Sequence, residues 1–234
     1  MEEKRISIIT INLNNKQGLE RTINSVLSQT FFDKIDYIII DGGSSDGSKE
    51  LIEQHKDKLY FWCSEQDKGI FNAMNKGIDK ANGDYLLFLN SGDFLHSKDT
   101  IEKVYDQLDC DIVYGNEIMF RINNSLVNYS SNVFSNEFES KYPDVLDERF
   151  FKRSALPHQS TFIKTSLHKQ RKYDESCIIA GDWKFTREAI MKYGATYKHV
   201  PMIISNYGLD GVSSKQFHVF EIEKDNYYKQ LTNE

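Results

Sequence analysis

Three polar clusters, each directly behind an apolar run, carry residue types from which a phosphate-handling site can be built. Asn90-Ser91-Gly92-Asp93 follows Tyr85-Leu86-Leu87-Phe88-Leu89. A carboxylate placed there can hold a hard divalent cation, Mn²⁺ or Mg²⁺, with diphosphate oxygens and water completing the shell. Such a cation neutralises charge on a departing diphosphate. Ser-Gly-Asp is also good turn chemistry, with Asp93 acting only as a helix cap. Asp41-Gly42-Gly43-Ser44-Ser45-Asp46-Gly47 follows Tyr37-Ile38-Ile39-Ile40 and offers carboxylates, hydroxyls and glycines that let a ligand approach the main chain. A turn capped by Ser45 or Asp46 accounts for the same residues. The cluster lacks both the Gly-Lys-Ser/Thr and the G-x-G-x-x-G patterns. The third cluster is Asn12-Leu13-Asn14-Asn15, behind Ile6 to Ile11.

Two further positions carry chemistry later in the chain. Asp182 follows Ile178-Ile179-Ala180-Gly181 and opens a helical stretch. It is either an N-terminal cap favoured by the helix dipole or a general base that deprotonates a hydroxyl. His158-Gln159 precedes a strand-like run; the histidine either faces the site or is structural. Tyr207 to Ser214, with Gly208, Gly211 and two serines, reads as a lid or as a plain loop.

Something must position these residues. Apolar runs at Ile6–Ile11, Tyr37–Ile40, Tyr60–Cys63 and Tyr85–Leu89 read as strands. Between them lie helical patterns through Leu19, Ile23, Val26 and Leu27, through Leu51 and Ile52, and from Gly69 to Ala81. Strands alternating with such helices predict an α/β fold with a mostly parallel sheet covered on both faces. Such sheets bind ligands at the carboxyl ends of their strands, where all three polar clusters fall. The second half is less regular. The sequence predicts a helix over Ser97–Gln107, strands at Asp111–Tyr114 and Glu117–Ile122, and a polar irregular stretch from Ser130 to Ala155. A strand at Ser160–Lys164, a helix at Trp183–Tyr193 and a strand at Thr196–Ile204 follow. The tail from Lys215 to Glu234 reads as one amphipathic helix whose aromatics pack on the core, form a dimer face or lie on a membrane surface.

Composition narrows the class. With 234 residues, 39% of them hydrophobic, the chain can build one domain, read as residues 1–95, 96–214 and the tail 215–234. The formal charge of −6 gives no basic field for nucleic acid. Cys63, Cys110 and Cys177 are widely spaced and form no C-x-x-C, which points away from a disulfide framework and toward a reducing compartment. The sequons at Asn123 and Asn128 then mean little. No signal-like opening and no apolar stretch of about 18 residues is found, so a soluble, cytoplasmic protein is expected, with peripheral contact on the inner membrane face left open.

The clusters in this order resemble glycosyltransferase family 2. Its opening signature resembles Ser7-Ile8-Ile9-Thr10-Ile11-Asn12-Leu13-Asn14, and its acidic nucleotide loop Ile40 to Gly47. Asp67-Lys68-Gly69-Ile70-Phe71-Asn72-Ala73-Met74-Asn75-Lys76-Gly77-Ile78 is similar to a helix of a branch that builds bacterial surface polysaccharides. Phe88 to Asp93 occupies the metal-binding place, and His158 to Phe162 with Ala180-Gly181-Asp182 resemble acceptor-side segments. The resemblance implies a GT-A fold and inverting transfer from a nucleotide-diphospho-sugar, expected to be UDP-linked, to a saccharide or lipid-linked acceptor. It assigns donor binding to Asn12, Asn14, Asp41, Gly43, Ser44, Asp67, Lys68, Asn90 and Ser91, metal binding to Asp93, the base to Asp182 and the acceptor side to His158 and Gln159. Two departures stand out. Gly42 replaces the second of the usual paired aspartates, and Asn90-Ser91-Gly92-Asp93 retains one carboxylate of the usual acidic motif. A nucleotidyltransferase is disfavoured because Asn12 to Lys16 is not a Gly-rich basic loop; a non-catalytic nucleotide-sugar-binding subunit stays open.

Overall fold

The structure is a computed structural model and describes residues 4–121 and 135–233. Both sequons, the end of the expected strand at Ile122 and the first residues of the polar stretch lie outside the described residues. The first half alternates as expected: β1 (Ile6–Asn12), α1 (Lys16–Leu27), β2 (Ile35–Asp41), α2 (Ser48–His55), β3 (Phe61–Ser64), α3 (Ile70–Lys80) and β4 (Tyr85–Phe88). β1 pairs in parallel with both β2 and β4, and β2 with β3. Side chains alternate across the sheet. Ile6 and Ile8 pack with Leu19, Ile23 and Val26 of α1, whereas Ile9 packs with Phe71, Met74 and Ile78 of α3. Burial on both faces is why these strands read as continuous apolar runs.

The second half contains β5 (Phe94–Leu95), α4 (Thr100–Tyr105), β6 (Ile112–Arg121), β7 (Ser135–Ser140), α5 (Glu148–Arg153), β8 (Thr161–Lys164) and α6 (Thr165–Gln170). Then come α7 (Gly181–Arg187), β9 (Tyr197–Gly208), α8 (Val212–Lys215) and α9 (Phe217–Asn233). Among the described residues the sheet runs β3-β2-β1-β4-β8-β6-β9-β5, with β7 beside β6. Beyond the parallel first half, β8 pairs antiparallel with β4 and β6, while β9 runs parallel to β6.

Several boundaries differ from the sequence reading. The two expected strands around Gly115 and Asn116 are one strand, β6, because the polar residues interrupt the apolar pattern without breaking the backbone ladder; they shift its register against β9 instead. The described part of the stretch to Ala155 holds β7 and α5, the latter capped by Asp147, whose carboxylate accepts from the Phe150 N–H. The expected helix from Ser97 is shorter, and α7 gives way to a π-helical turn over Glu188–Lys192. The tail is a helix, α9. It buries Tyr227, and the rings of Phe220, Tyr227 and Tyr228 meet the fully buried Trp183 edge-on, while Phe217 stays exposed. Among the described residues no helix is long and apolar enough to cross a membrane. All three cysteines are free.

One core residue sets an acid limit. His168 of α6 is fully buried, stacked on Phe185 at 4.1 Å, with Phe88 and Tyr173 edge-on, and neither ring nitrogen has a hydrogen-bond partner among the described residues. Burial lowers its pKa from 6.5 to about 3. Below pH 6.5 the unfolded chain takes up a proton at this ring that the folded chain refuses, so the His168 contribution to stability falls as pH drops from 6.5 toward 3. At pH 5 this costs about 2 kcal/mol. His168→Phe should flatten this part of the pH–Tm curve; an unchanged acid limb would show that other groups set it.

Candidate active site

The carboxyl ends of β1 and β2 are welded by one carboxylate. Asp41, fully buried, ends β2 opposite Asn12. It accepts Nδ2 of Asn12 at 2.7 Å, Oγ of Ser44 at 2.6 Å, the Ser44 N–H at 3.0 Å and Oγ of Ser64 at 2.6 Å. Burial alone would raise its pKa; these hydrogen bonds outweigh burial and hold the carboxyl below its usual value. Ser44 Oγ also accepts the Asn14 N–H at 2.8 Å, and Asn14 Oδ1 accepts the Ser45 N–H at 2.8 Å. Asn14 has φ 49°, a left-handed conformation that Asn tolerates, and Gly43 has φ 80°. Asn12, Asn14, Asp41, Gly43 and Ser44 therefore form one rim. Asp41 acts within it as a builder, its carboxylate turned to the chain's own donors.

Gly42 has a reason visible in space. A Cβ at this position would lie 2.9 Å from Oδ2 of Asp67. The second aspartate of the usual loop is thus replaced by a glycine against which Asp67 packs. Lys76 of α3 holds Asp67 at 2.6 Å and Glu65 at 2.8 Å. Lys68 is exposed, and its backbone N–H donates to Asn72 Oδ1 at 3.1 Å.

The cluster Asn90-Ser91-Gly92-Asp93 closes the site behind β4. Thr22 of α1 donates Oγ1 to the Asp93 carbonyl at 2.7 Å and accepts the Gly92 N–H at 3.0 Å; Asn15 Nδ2 donates to the Ser91 carbonyl at 2.9 Å. Asp93 is 6% exposed, and Oδ1 accepts the Gly208 N–H at 3.0 Å. Burial pushes its carboxyl up to about 7, against the pull of that N–H and of His158. A buried carboxylate so weakly compensated suits a cation. The amide oxygen of Asn90 is buried and has no hydrogen-bond partner among the described residues. Among those residues no group of three His, Cys, Asp or Glu side chains gathers for a metal. The donor set fits a cation held by Asp93 whose remaining ligands come from a diphosphate and water.

The later residues arrive at this same edge. His158, just ahead of β8, bridges Asn90 and Asp182: Nε2 lies 3.0 Å from Asn90 Nδ2, and Nδ1 lies 2.9 Å from Asp182 Oδ2. With the amide assigned so that Nδ2 faces the ring, Nε2 accepts and Nδ1–H donates to Asp182. Burial lowers the His158 pKa, but Asp182, Asp93 and Glu117 more than offset it, so the net shift is upward. Oδ1 of Asp182 accepts the Trp183 N–H at 2.7 Å, and the side chain is 19% exposed. Asp182 is therefore both a first-turn residue of α7 and a partly exposed carboxylate.

The helix α3 explains its own sequence here. Asn75 exchanges two hydrogen bonds with the Tyr173 backbone, both 3.0 Å, and Asn72 and Asn75 hold Glu175 at 3.0 and 2.9 Å. The loop leading to Asp182 is thus anchored on α3. A Cβ on Gly181 would meet the buried Phe71 ring at 2.7 Å, so the start of α7 sits against α3 only with glycine there.

Gln159 is buried and spends its amide on a buried carboxylate. Its Nε2 donates to Glu117 Oε2 at 2.5 Å, and Tyr142 OH donates to Glu117 Oε1 at 2.8 Å. Glu117 is 1% exposed; burial raises its pKa against these two bonds and the pull of His158. The sequence reading passed over Glu117, although a lone carboxylate beside the apolar Ile118-Met119-Phe120 was a usable signal.

The model of glycosyl transferase family 2 matches residues 7–194. A glycosyltransferase of Mycobacterium tuberculosis H37Rv, Rv1514c, is 31% identical over 187 residues, 80% of this chain and 69% of the relative. A PGL/p-HBAD biosynthesis glycosyltransferase of Mycobacterium bovis BCG is 26% identical over 215 residues, 88% of this chain and 78% of the relative. Among solved structures, Staphylococcus aureus TarS 1-349 with UDP-GlcNAc aligns with TM-score 0.66 at 20% identity over 87% of this chain. Mannosyltransferase PcManGT of Pyrobaculum calidifontis, with GDP-Man and Mn²⁺, gives 0.66 at 13% over 93%. This chain spans 58% and 60% of those two chains, and at such identities the likeness concerns the fold, that of GT-A-like glycosyltransferases. With the family model spanning most of its length, the chain belongs to glycosyl transferase family 2 and is a glycosyltransferase.

Proposed function

We propose that the protein transfers a sugar from a UDP-linked donor to a saccharide or lipid-linked acceptor of bacterial surface polysaccharide synthesis, with inversion at the anomeric carbon. The observation that carries this reading is the bridge from Asn90 through His158 to Asp182 at the strand ends, with Asp93 close enough to raise the His158 pKa, next to the rim built on Asp41. The nucleoside lies along Asn12, Asn14, Asp41, Gly43 and Ser44, with Asp67 and Lys68 flanking it and Ser91 beside the diphosphate. Asp93 would hold a divalent cation, which would supply charge neutralisation for the leaving nucleoside diphosphate. Asp182 takes the proton of the acceptor hydroxyl as its oxygen bonds to the anomeric carbon; the bond from that carbon to the diphosphate oxygen breaks, its electron pair leaving with the diphosphate. His158 Nδ1–H orients Asp182 and offsets its charge, and Asn90 fixes the ring.

A thermal-shift screen of UDP, UDP-sugars, GDP and GDP-sugars, each with Mn²⁺ or Mg²⁺, tests the donor class. Ligand at 100 times Kd stabilises the folded state by about 2.7 kcal/mol. UDP compounds should raise Tm most; no shift with any nucleotide would contradict the reading. Calorimetry of UDP with and without Mn²⁺ should show metal-dependent binding in the wild type and none of that dependence in Asp93→Ala. Equal metal dependence in both proteins removes Asp93 from the cation site.

A further inference from the structure

The loop that delivers Asp182 has a second anchor, supplied by the far end of the chain. Residues 174–180 have no regular secondary structure, and three consecutive amides there point at one side chain. The Ile178 N–H donates to Glu223 Oε1 at 2.6 Å, and the N–H groups of Ile179 and Ala180 donate to Oε2 at 3.0 and 2.8 Å. Glu223 belongs to α9, more than 40 residues away in sequence. A carboxylate accepting three backbone N–H groups makes charge-assisted hydrogen bonds, stronger than neutral ones. Ile179 and Ala180 are buried, so without Glu223 their amides would have to find other acceptors. Two residues beyond Ala180 stands Asp182.

The same helix grips α7 itself. Trp183, next to Asp182, packs edge-on against Phe220, Tyr227 and Tyr228 of α9, and Arg187 donates to Tyr227 OH at 2.8 Å. Glu223 fixes the approach to α7, and the aromatic residues fix its body. Asn72 and Asn75 hold the beginning of the loop, and Glu223 holds its end.

We propose that Glu223 is a positioning residue for Asp182: through the amides of residues 178–180 it holds the base where it meets His158 and the acceptor. The C-terminal helix is then part of the catalytic apparatus, acting from outside the donor site. The inference rests on Asp182 being the base. A displacement of about 1 Å in a reacting group can lower turnover about 10²-fold. Glu223→Ala should therefore lower kcat about 10–100-fold. Glu223 bonds the amides of residues 178–180 and makes no hydrogen bond to Asp93 or to the rim on Asp41 among the described residues, so UDP affinity should stay as in the wild type.

The test uses the full chain with Glu223→Ala, Glu223→Gln, Asp182→Asn and the double variant Asp182→Asn/Glu223→Ala. Turnover is followed as nucleoside diphosphate release from the donor selected by thermal shift, UDP binding by calorimetry, and amide protection by hydrogen exchange. The inference expects faster exchange at 178–180, reduced kcat with unchanged UDP affinity, and partial recovery in Glu223→Gln, which keeps one acceptor oxygen. It also expects Glu223→Ala to cost little once Asp182 is Asn, because residues acting as one unit are not additive. An unchanged kcat, a parallel loss of UDP affinity, or the same fold loss in the Asp182→Asn background overturns it. Should Glu223→Ala fail to fold, Glu223→Gln carries the comparison with the same criteria. Undiminished turnover in Asp182→Asn alone overturns the base assignment, and this inference with it, a result distinct from every outcome at Glu223.

Discussion

Asp182→Asn is expected to slow sugar transfer by about 10²–10⁴-fold, the contribution of a positioned general base. The substitution keeps the side chain's size at the start of α7 but removes the proton acceptor. It also disturbs the contact with His158, whose Nδ1 faces Asp182 Oδ2 at 2.9 Å. The rim residues Asn12, Asn14, Asp41 and Ser44 make no hydrogen bond to Asp182 among those found, so UDP affinity should hold. Single-turnover measurements at saturating donor, paired with calorimetry, separate the two quantities. Undiminished turnover would remove Asp182 from the base role and favour a binding function over a catalytic one.

The second large effect belongs to stability and donor binding together. Asp41→Ala removes a fully buried acceptor of four hydrogen bonds from Asn12, Ser44 and Ser64. Donors left without a partner in a buried site are costly, and a loss of about 2–4 kcal/mol is expected. Because Ser44 in turn receives the Asn14 N–H, the loops after β1 and β2 should loosen together and UDP affinity should fall with Tm. The low pKa of Asp41 adds a pH signature. Its contribution is present above the ordinary carboxylate value of 3.8 and is lost as pH falls through its lower folded value, so the variant's deficit should shrink in strong acid. A variant with wild-type Tm and UDP affinity would contradict the role given to Asp41.

The parallel half of the fold was legible because burial on both faces writes strands as unbroken apolar runs, and because turn residues mark where each ends. Tyr37–Ile40, closed by Asp41-Gly42-Gly43 within and behind β2, is such a case. β6 was harder: its polar Asn116 and Glu117 serve a buried network with Tyr142 and Gln159, and a pattern of apolar residues cannot show that polar side chains are buried in pairs. α5 was hidden in a polar stretch because a short helix buries little, here chiefly Phe151. Of the candidate site, strand-end residues were readable from position alone. The bridge from Asn90 through His158 to Asp182 joins segments 68 and 24 residues apart, and only the crossover of β8 against β4 brings them together. Glu223 left no trace in the pattern, since a surface helix with a solvent-facing glutamate looks the same whether or not a loop lies across it.

On the proposed function, the donor's diphosphate lies at the carboxyl ends of β1, β2 and β4, between Asp93 and the Asp41 rim, within reach of Asp182. Crystals grown with UDP and Mn²⁺ test this most directly. The nucleoside is expected along Asn12, Asn14 and Ser44 and the diphosphate beside Asp93, with Asp182 facing the open side of the diphosphate. A nucleotide bound elsewhere on the molecule, or one whose diphosphate points away from Asp93 and Asp182, would contradict it.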